Sequence, residues 1–127
     1  MKKTTISFRM VVGVAEGYFH NISGVAAPEL ANKIAALWQQ LAKAEFEEFG
    51  EYISAAVSPA AVVYNTDWGC PVGGESVIKI EGTCNPQFCN RELYKPAVMR
   101  LAEALKKELQ QSTLSAEFWE SELVYLT

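Results

Sequence analysis

The chain has 127 residues, half of them hydrophobic and 20% charged, with a net charge of −4. That length suits a single α+β domain over residues 1–127, with room for one core. No cluster of Lys or Arg offers a phosphate-binding face, which argues against nucleic acid, and no apolar run approaches the ~18 residues of a membrane span.

Met1-Lys2-Lys3 could open a signal peptide, but Arg9 interrupts the apolar stretch and no small-residue cleavage site follows. We therefore expect a mature cytoplasmic protein. Residues 4–15 alternate instead: Ile6, Phe8, Met10, Val12 and Val14 on one side, Thr5, Ser7 and Arg9 on the other. A period of two predicts a strand. A loop with two glycines follows, carrying Glu16, Tyr18 and His20. Pro28 suits the first turn of a helix, and Leu30, Ile34, Leu37, Trp38 and Leu41 recur at helical spacing up to Phe49. Gly50 is placed to stop that helix in a left-handed cap.

Residues 52–57 and 60–64 read as strand, interrupted by Ser58-Pro59. Proline is tolerated at sheet edges, so these two pieces fit one bent edge strand. Asn65 to Gly74 is far longer than a hairpin turn requires and holds Asp67, Trp68 and Cys70 among its glycines. Residues 76–81 predict a short strand, 82–94 an irregular connection with Cys84 and Cys89, and 91–111 a second helix with Val98, Leu101, Leu105 and Leu109 on its apolar stripe. Leu114 to Leu126 completes the set as an aromatic-rich strand.

The order is βαββαβ, which predicts an α+β, ferredoxin-like two-layer sandwich: one four-stranded, mostly antiparallel sheet with both helices on one face. A tautomerase-like pair of βαβ units has the same order and is the alternative. That family uses an N-terminal proline, whereas position 2 here is Lys, so its chemistry does not transfer.

The topology sorts the unusual residues. Glu16, Tyr18, His20, Asp67, Trp68 and Cys70 belong to loops at one end of the sheet, here called upper. Cys84, Cys89 and Asn90 belong to the lower end. A zinc site from His20 and the three cysteines would need ligands from opposite ends, so no metal is expected. Gly73-Gly74 lacks the flanking pattern of a phosphate loop and serves the turn, so no cofactor is expected either. Cys84 and Cys89 read as two small residues packed beneath a loop, with a disulfide as the other reading. The carboxylates at Glu45, Glu47, Glu48 and Glu51, and at Glu117, Glu120 and Glu122, read as solvated faces.

Three functional readings follow. The first is a small oligomeric binding module for a small molecule or protein partner, its site between the open sheet face and the upper loops, with Trp68, Tyr18 and Glu16 as ligand-binding residues. Trp68 itself is expected to fold onto the sheet's end as a lid. The second is an enzyme of isomerase or hydrolase type, with Cys70 as nucleophile, His20 as base and Asp67 or Glu16 orienting it. The third is a structural subunit of a larger assembly. The uncharged second strand and the aromatics on both faces of the last strand predict a homo-oligomer, most simply a dimer.

Overall fold

The computed structural model of the protein describes residues 2–13, 27–111 and 114–126. Strand β1 covers Lys2–Gly13, helix α1 Ala27–Phe49, β2 Ala56–Val62, β3 Glu75–Thr83, α2 Arg91–Glu108 and β4 Ser115–Val124. The strands lie in the order β2-β3-β1-β4. Every neighbouring pair is antiparallel. This is the ferredoxin-like arrangement. The tautomerase-like alternative fails, because β1 pairs with β3 and β4 and has no parallel neighbour in β2.

Both helices cover one face of the sheet. Phe8, Met10 and Val12 of β1 and Ile78 and Ile80 of β3 meet Leu30, Ile34 and Trp38 of α1 and Tyr94, Val98, Leu101 and Leu105 of α2. The Phe8 ring stacks on Trp38 at 5.9 Å between centroids and lies tilted to Tyr94 at 6.0 Å. The Trp38 indole N–H donates to the Ile53 carbonyl at 2.9 Å. That bond gives the buried indole its polar partner and ties the approach to β2 onto α1.

The local signals act as the chemistry requires. The Gly50 N–H donates to the Phe46 carbonyl, and Gly50 takes φ 87°, closing α1 with a left-handed residue. The Asn90 side chain accepts from the Glu92 N–H at 2.8 Å and starts α2. Pro96 lies inside α2 on its exposed side, so the Glu92 carbonyl it cannot serve faces the same way. The two pieces on either side of Ser58-Pro59 form one edge strand: β2 runs through both residues, with Pro59 opposite Ile78. As an edge strand β2 tolerates a residue without an N–H.

Thr5 and Ser7, on the face away from the helices, are buried. The Thr5 hydroxyl donates to the Cys84 carbonyl at 2.7 Å, and the Ser7 hydroxyl lies 2.7 Å from that of Thr83 and 2.6 Å from that of Ser121. Glu45 and Glu51, expected on a solvated face, are also buried. Glu45 accepts from Arg100 at 2.6 Å, and Glu51 accepts from the Asn90 N–H at 3.3 Å. Each buried carboxylate therefore has a partner across the helix layer, which a sequence cluster cannot reveal.

Gly82 sits where β3 crosses Phe8. A Cβ there would lie 2.6 Å from Phe8 Cε1 and 2.6 Å from the Ser54 carbonyl oxygen. Because one of those atoms is backbone, relief requires moving the chain. Gly82→Ala is expected to destabilise the protein by about 1–3 kcal/mol, the usual cost of overpacking. Urea unfolding checks it; an unchanged midpoint would show that β3 and Ser54 separate freely.

Candidate functional site

The upper end of the open sheet face holds a cavity of about 270 Å³. Its walls are Val11 and Gly13 of β1, Val62 of β2, Glu75 and Val77 of β3, and Leu114 and Ser115 at the start of β4. Strand register explains the gathering, since Gly13 pairs with Val77, Val62 with Glu75, and Val11 with Ser115. Among these residues Glu75 alone is ionisable. The Tyr64 hydroxyl donates to its Oε2 at 3.1 Å. A carboxylate on an otherwise uncharged wall, held by a phenol, can bind a cation or take a proton.

The hairpin loop between β2 and β3 sets this geometry. Thr66–Trp68 forms a single 3-10 turn, whose start is capped by the Asn65 side chain accepting from the Asp67 N–H at 2.9 Å. Gly69, at φ 99°, ends it. Gly74 also takes φ 99°, and a Cβ there would meet Val63 Cγ2 at 2.9 Å and the Val62 carbonyl at 3.1 Å. Only glycine suits that position, and it delivers Glu75 to the strand.

Cys70 is a buried free thiol. Its sulfur accepts from the Tyr64 N–H at 3.5 Å and donates to the Pro71 carbonyl at 3.3 Å. It thus fills the inside of the loop and supports the Tyr64 backbone. Asp67 is exposed. Trp68 is 77% exposed and does not fold onto the sheet's end as expected. The capped turn directs it outward, and the smaller Cys70 takes the inward place. Glu16, Tyr18 and His20 lie outside the described residues, and with them the base of the Cys70–His20 pair. Among the described residues, no three His, Cys, Asp or Glu side chains are grouped to hold a metal. No helix among them is long and apolar enough to cross a membrane.

Sequence reading placed a site between the open face and the upper loops but missed Glu75 and Tyr64. A signal existed. Tyr64 lies two residues beyond the last pair of β2, and Glu75 is the first residue of β3 after two glycines. Hairpin closure therefore brings them together.

At the lower end, Cys84 and Cys89 are joined in a disulfide rather than packed as separate thiols. A separate hollow, of about 450 Å³, runs between α1 and the approach to β2, beside Ala35, Gln39 and Tyr52. Among the described residues, no Asp, Glu, Lys, Arg or His lines it.

Comparison with known proteins places the whole chain in a family. The family model described as SAM lyase matches residues 3–127. No curated protein matches the chain. Among solved structures, a phage SAM lyase in the apo state is similar at 17% identity and a TM-score of 0.56, covering 92% of this chain and 81% of that one. A phage SAM lyase in complex with S-methyl-5'-thioadenosine is similar at 14% identity and a TM-score of 0.55, covering 94% and 89%. At these identities the likeness is one of fold.

The packing of Cys70 sets an expectation. In the native protein its labelling by iodoacetamide at neutral pH should be at least about tenfold slower than in the urea-unfolded chain, because the thiol must first be uncovered. Peptide mass mapping reads it. Equal rates would show that the loop does not shelter the thiol.

Proposed function

Since the chain belongs to the SAM lyase family, we propose that it binds S-adenosylmethionine and cleaves it, releasing S-methyl-5'-thioadenosine. The family match across residues 3–127 carries this reading. The upper cavity, with Glu75 and Tyr64, supplies a place for it.

The chemistry suits such a wall. The substrate's sulfur is a sulfonium cation. When the bond from sulfur to the amino-acid side chain breaks, its electron pair goes to sulfur and leaves a neutral thioether. The four-carbon fragment completes its valence without water in one of two ways. Its own carboxylate closes on the reacting carbon, or a neighbouring proton passes to a base. Closure cancels a positive and a negative charge, and an apolar lining of Val11, Val62, Val77 and Leu114 favours a step that loses charge. Glu75 holds the sulfonium end and is the base within reach for the second route. Tyr64 fixes its orientation. No nucleophile from the protein is required, so Cys70 serves as loop support.

At about 270 Å³ the cavity is smaller than the roughly 300–1,000 Å³ typical of small-molecule sites. Val62, Val63 and Val72 beside it are exposed. A second copy of the chain packed over this end would enlarge the site and cover those side chains. We accordingly infer a homo-oligomer, most simply a dimer.

The direct test is incubation of the purified protein with S-adenosylmethionine and detection of S-methyl-5'-thioadenosine by liquid chromatography and mass spectrometry. Glu75→Gln should lower kcat/KM by about 100-fold or more, in the range for loss of a charged catalytic group, and Tyr64→Phe by about tenfold. Saturable binding without product would leave a binding module instead. A Glu75→Gln variant with unchanged turnover would remove this cavity from the mechanism. Light scattering at micromolar concentration should show more than one copy; a fully active monomer would overturn the shared site.

A further inference from the structure

The Cys84–Cys89 disulfide is a poor staple for this fold. Only five positions separate the two residues, and a cross-link stabilises less the shorter the loop it closes. The backbone it joins is also fastened without it. The Cys84 N–H donates to the Ile6 carbonyl at 2.9 Å, and the Cys84 carbonyl accepts from Thr5 at 2.7 Å. The Cys89 N–H donates to the Asn85 carbonyl at 2.9 Å, and the next N–H, that of Asn90, donates to Glu51. Opening the bond therefore leaves both ends in place. The Cys89 carbonyl lies 3.9 Å from the Cys84 sulfur, where a reduced Cys84 thiol finds an acceptor.

The two sulfurs are unequally placed. Cys84 is fully buried, whereas Cys89 is half-buried and lines a cavity of about 430 Å³ with Tyr52, Asn85, Phe88 and Tyr125, among others. Approach from solvent lies on the Cys89 side. Cys89 also precedes Asn90, the cap of α2, where the helix dipole favours a thiolate.

The surroundings form a docking surface. Phe88, next to Cys89, is 82% exposed, and Tyr52 and Tyr125 also reach solvent. Exposed Phe46 meets Tyr52 edge-on at 6.3 Å and extends the patch. Phe88 is held in position: its N–H donates to the Asn85 carbonyl, and the Asn85 side chain accepts from the Gln87 N–H at 3.0 Å. Among the described residues, no Asp, Glu, Lys, Arg or His lines the cavity. An uncharged aromatic patch of this kind marks a contact surface, and here it surrounds an approachable disulfide.

We propose that Cys84–Cys89 is a thiol–disulfide exchange site, and that its aromatic rim docks a dithiol oxidoreductase whose reactive thiolate is set in an apolar surface. The partner's thiolate attacks the Cys89 sulfur. The electron pair of the broken S–S bond goes to the Cys84 sulfur, which takes up a proton. The partner's second thiolate then attacks its own sulfur in the mixed disulfide, and Cys89 leaves as thiolate and is protonated. Two electrons and two protons pass to the pair, and the partner is left as a disulfide. Thr83 and Glu75 are opposite ends of β3, about 26 Å apart at ~3.3 Å per residue, so the site stands independently of turnover at Glu75.

The test uses the oxidised full chain and thioredoxin as the probe. A thioredoxin with its second active-site cysteine replaced by Ser should be trapped as a one-to-one mixed disulfide, mapped to Cys89 by non-reducing peptide mass spectrometry. Native thioredoxin should reduce the pair, and the reduced protein should keep its native circular dichroism at room temperature. Phe88→Ala should slow reduction by thioredoxin about tenfold and leave reduction by dithiothreitol unchanged, which separates docking from access. Trapping at Cys84, or reduction only after unfolding in urea, would overturn the proposal. So would thioredoxin rates equal in Phe88→Ala and the parent, or a reduced protein that unfolds, which would make the bond a staple.

Discussion

Phe8 lies against one ring from each helix, Trp38 of α1 and Tyr94 of α2, and the rest of the molecule is arranged around that contact. It requires Gly82 on the neighbouring strand, because any side chain there would collide with Phe8 and with the Ser54 carbonyl. It also fixes what leaves the core at either side. Trp38 reaches Ile53 and so sets the start of β2. Tyr94, pinned by its ring, presents a hydroxyl that the core does not satisfy. Tight packing at one point thus decides where a polar group is left to find a partner.

The open face of the sheet divides the two cavities. Between them stand Arg9, in contact with Glu81 and Glu117 and lying 5.3 Å from the centre of the Trp119 ring, and the hydroxyl cluster of Ser7, Thr83 and Ser121. The hydroxyls satisfy one another, while the Arg9 Nε is buried without a hydrogen-bond partner among the described residues. The apolar wall with a single carboxylate is at one end, and the aromatic cavity with donors is at the other. The two ends of the sheet therefore offer distinct chemical environments.

The fold was legible because its signals are local. Alternation in β1, helical spacing from Leu30 to Leu41, Gly50 as a stop and Pro59 as an edge marker each reflect one element's own chemistry. The site was legible only as a region. Glu75 and Tyr64 meet through hairpin closure, a pairing that depends on register across a twelve-residue connection. Trp68 drew attention as a large residue in a glycine-rich loop, yet the capped turn sends it outward. Tyr94 resembles any apolar helix residue until the core packing shows its hydroxyl without a partner among the described residues. The burial of Glu45 and Glu51 was hidden for the same reason: Arg100 and the Asn90 N–H lie far along the chain.

Pro59 has a consequence beyond marking the edge. It sits in the middle of β2, the outermost strand, and carries no N–H. Proline is accommodated in a ladder where the missing donor would have pointed to solvent, so the outward row of donors on β2 is broken at its centre. An incoming strand could not form an unbroken ladder along this edge. Strand-by-strand growth into fibres along this edge is thereby disfavoured.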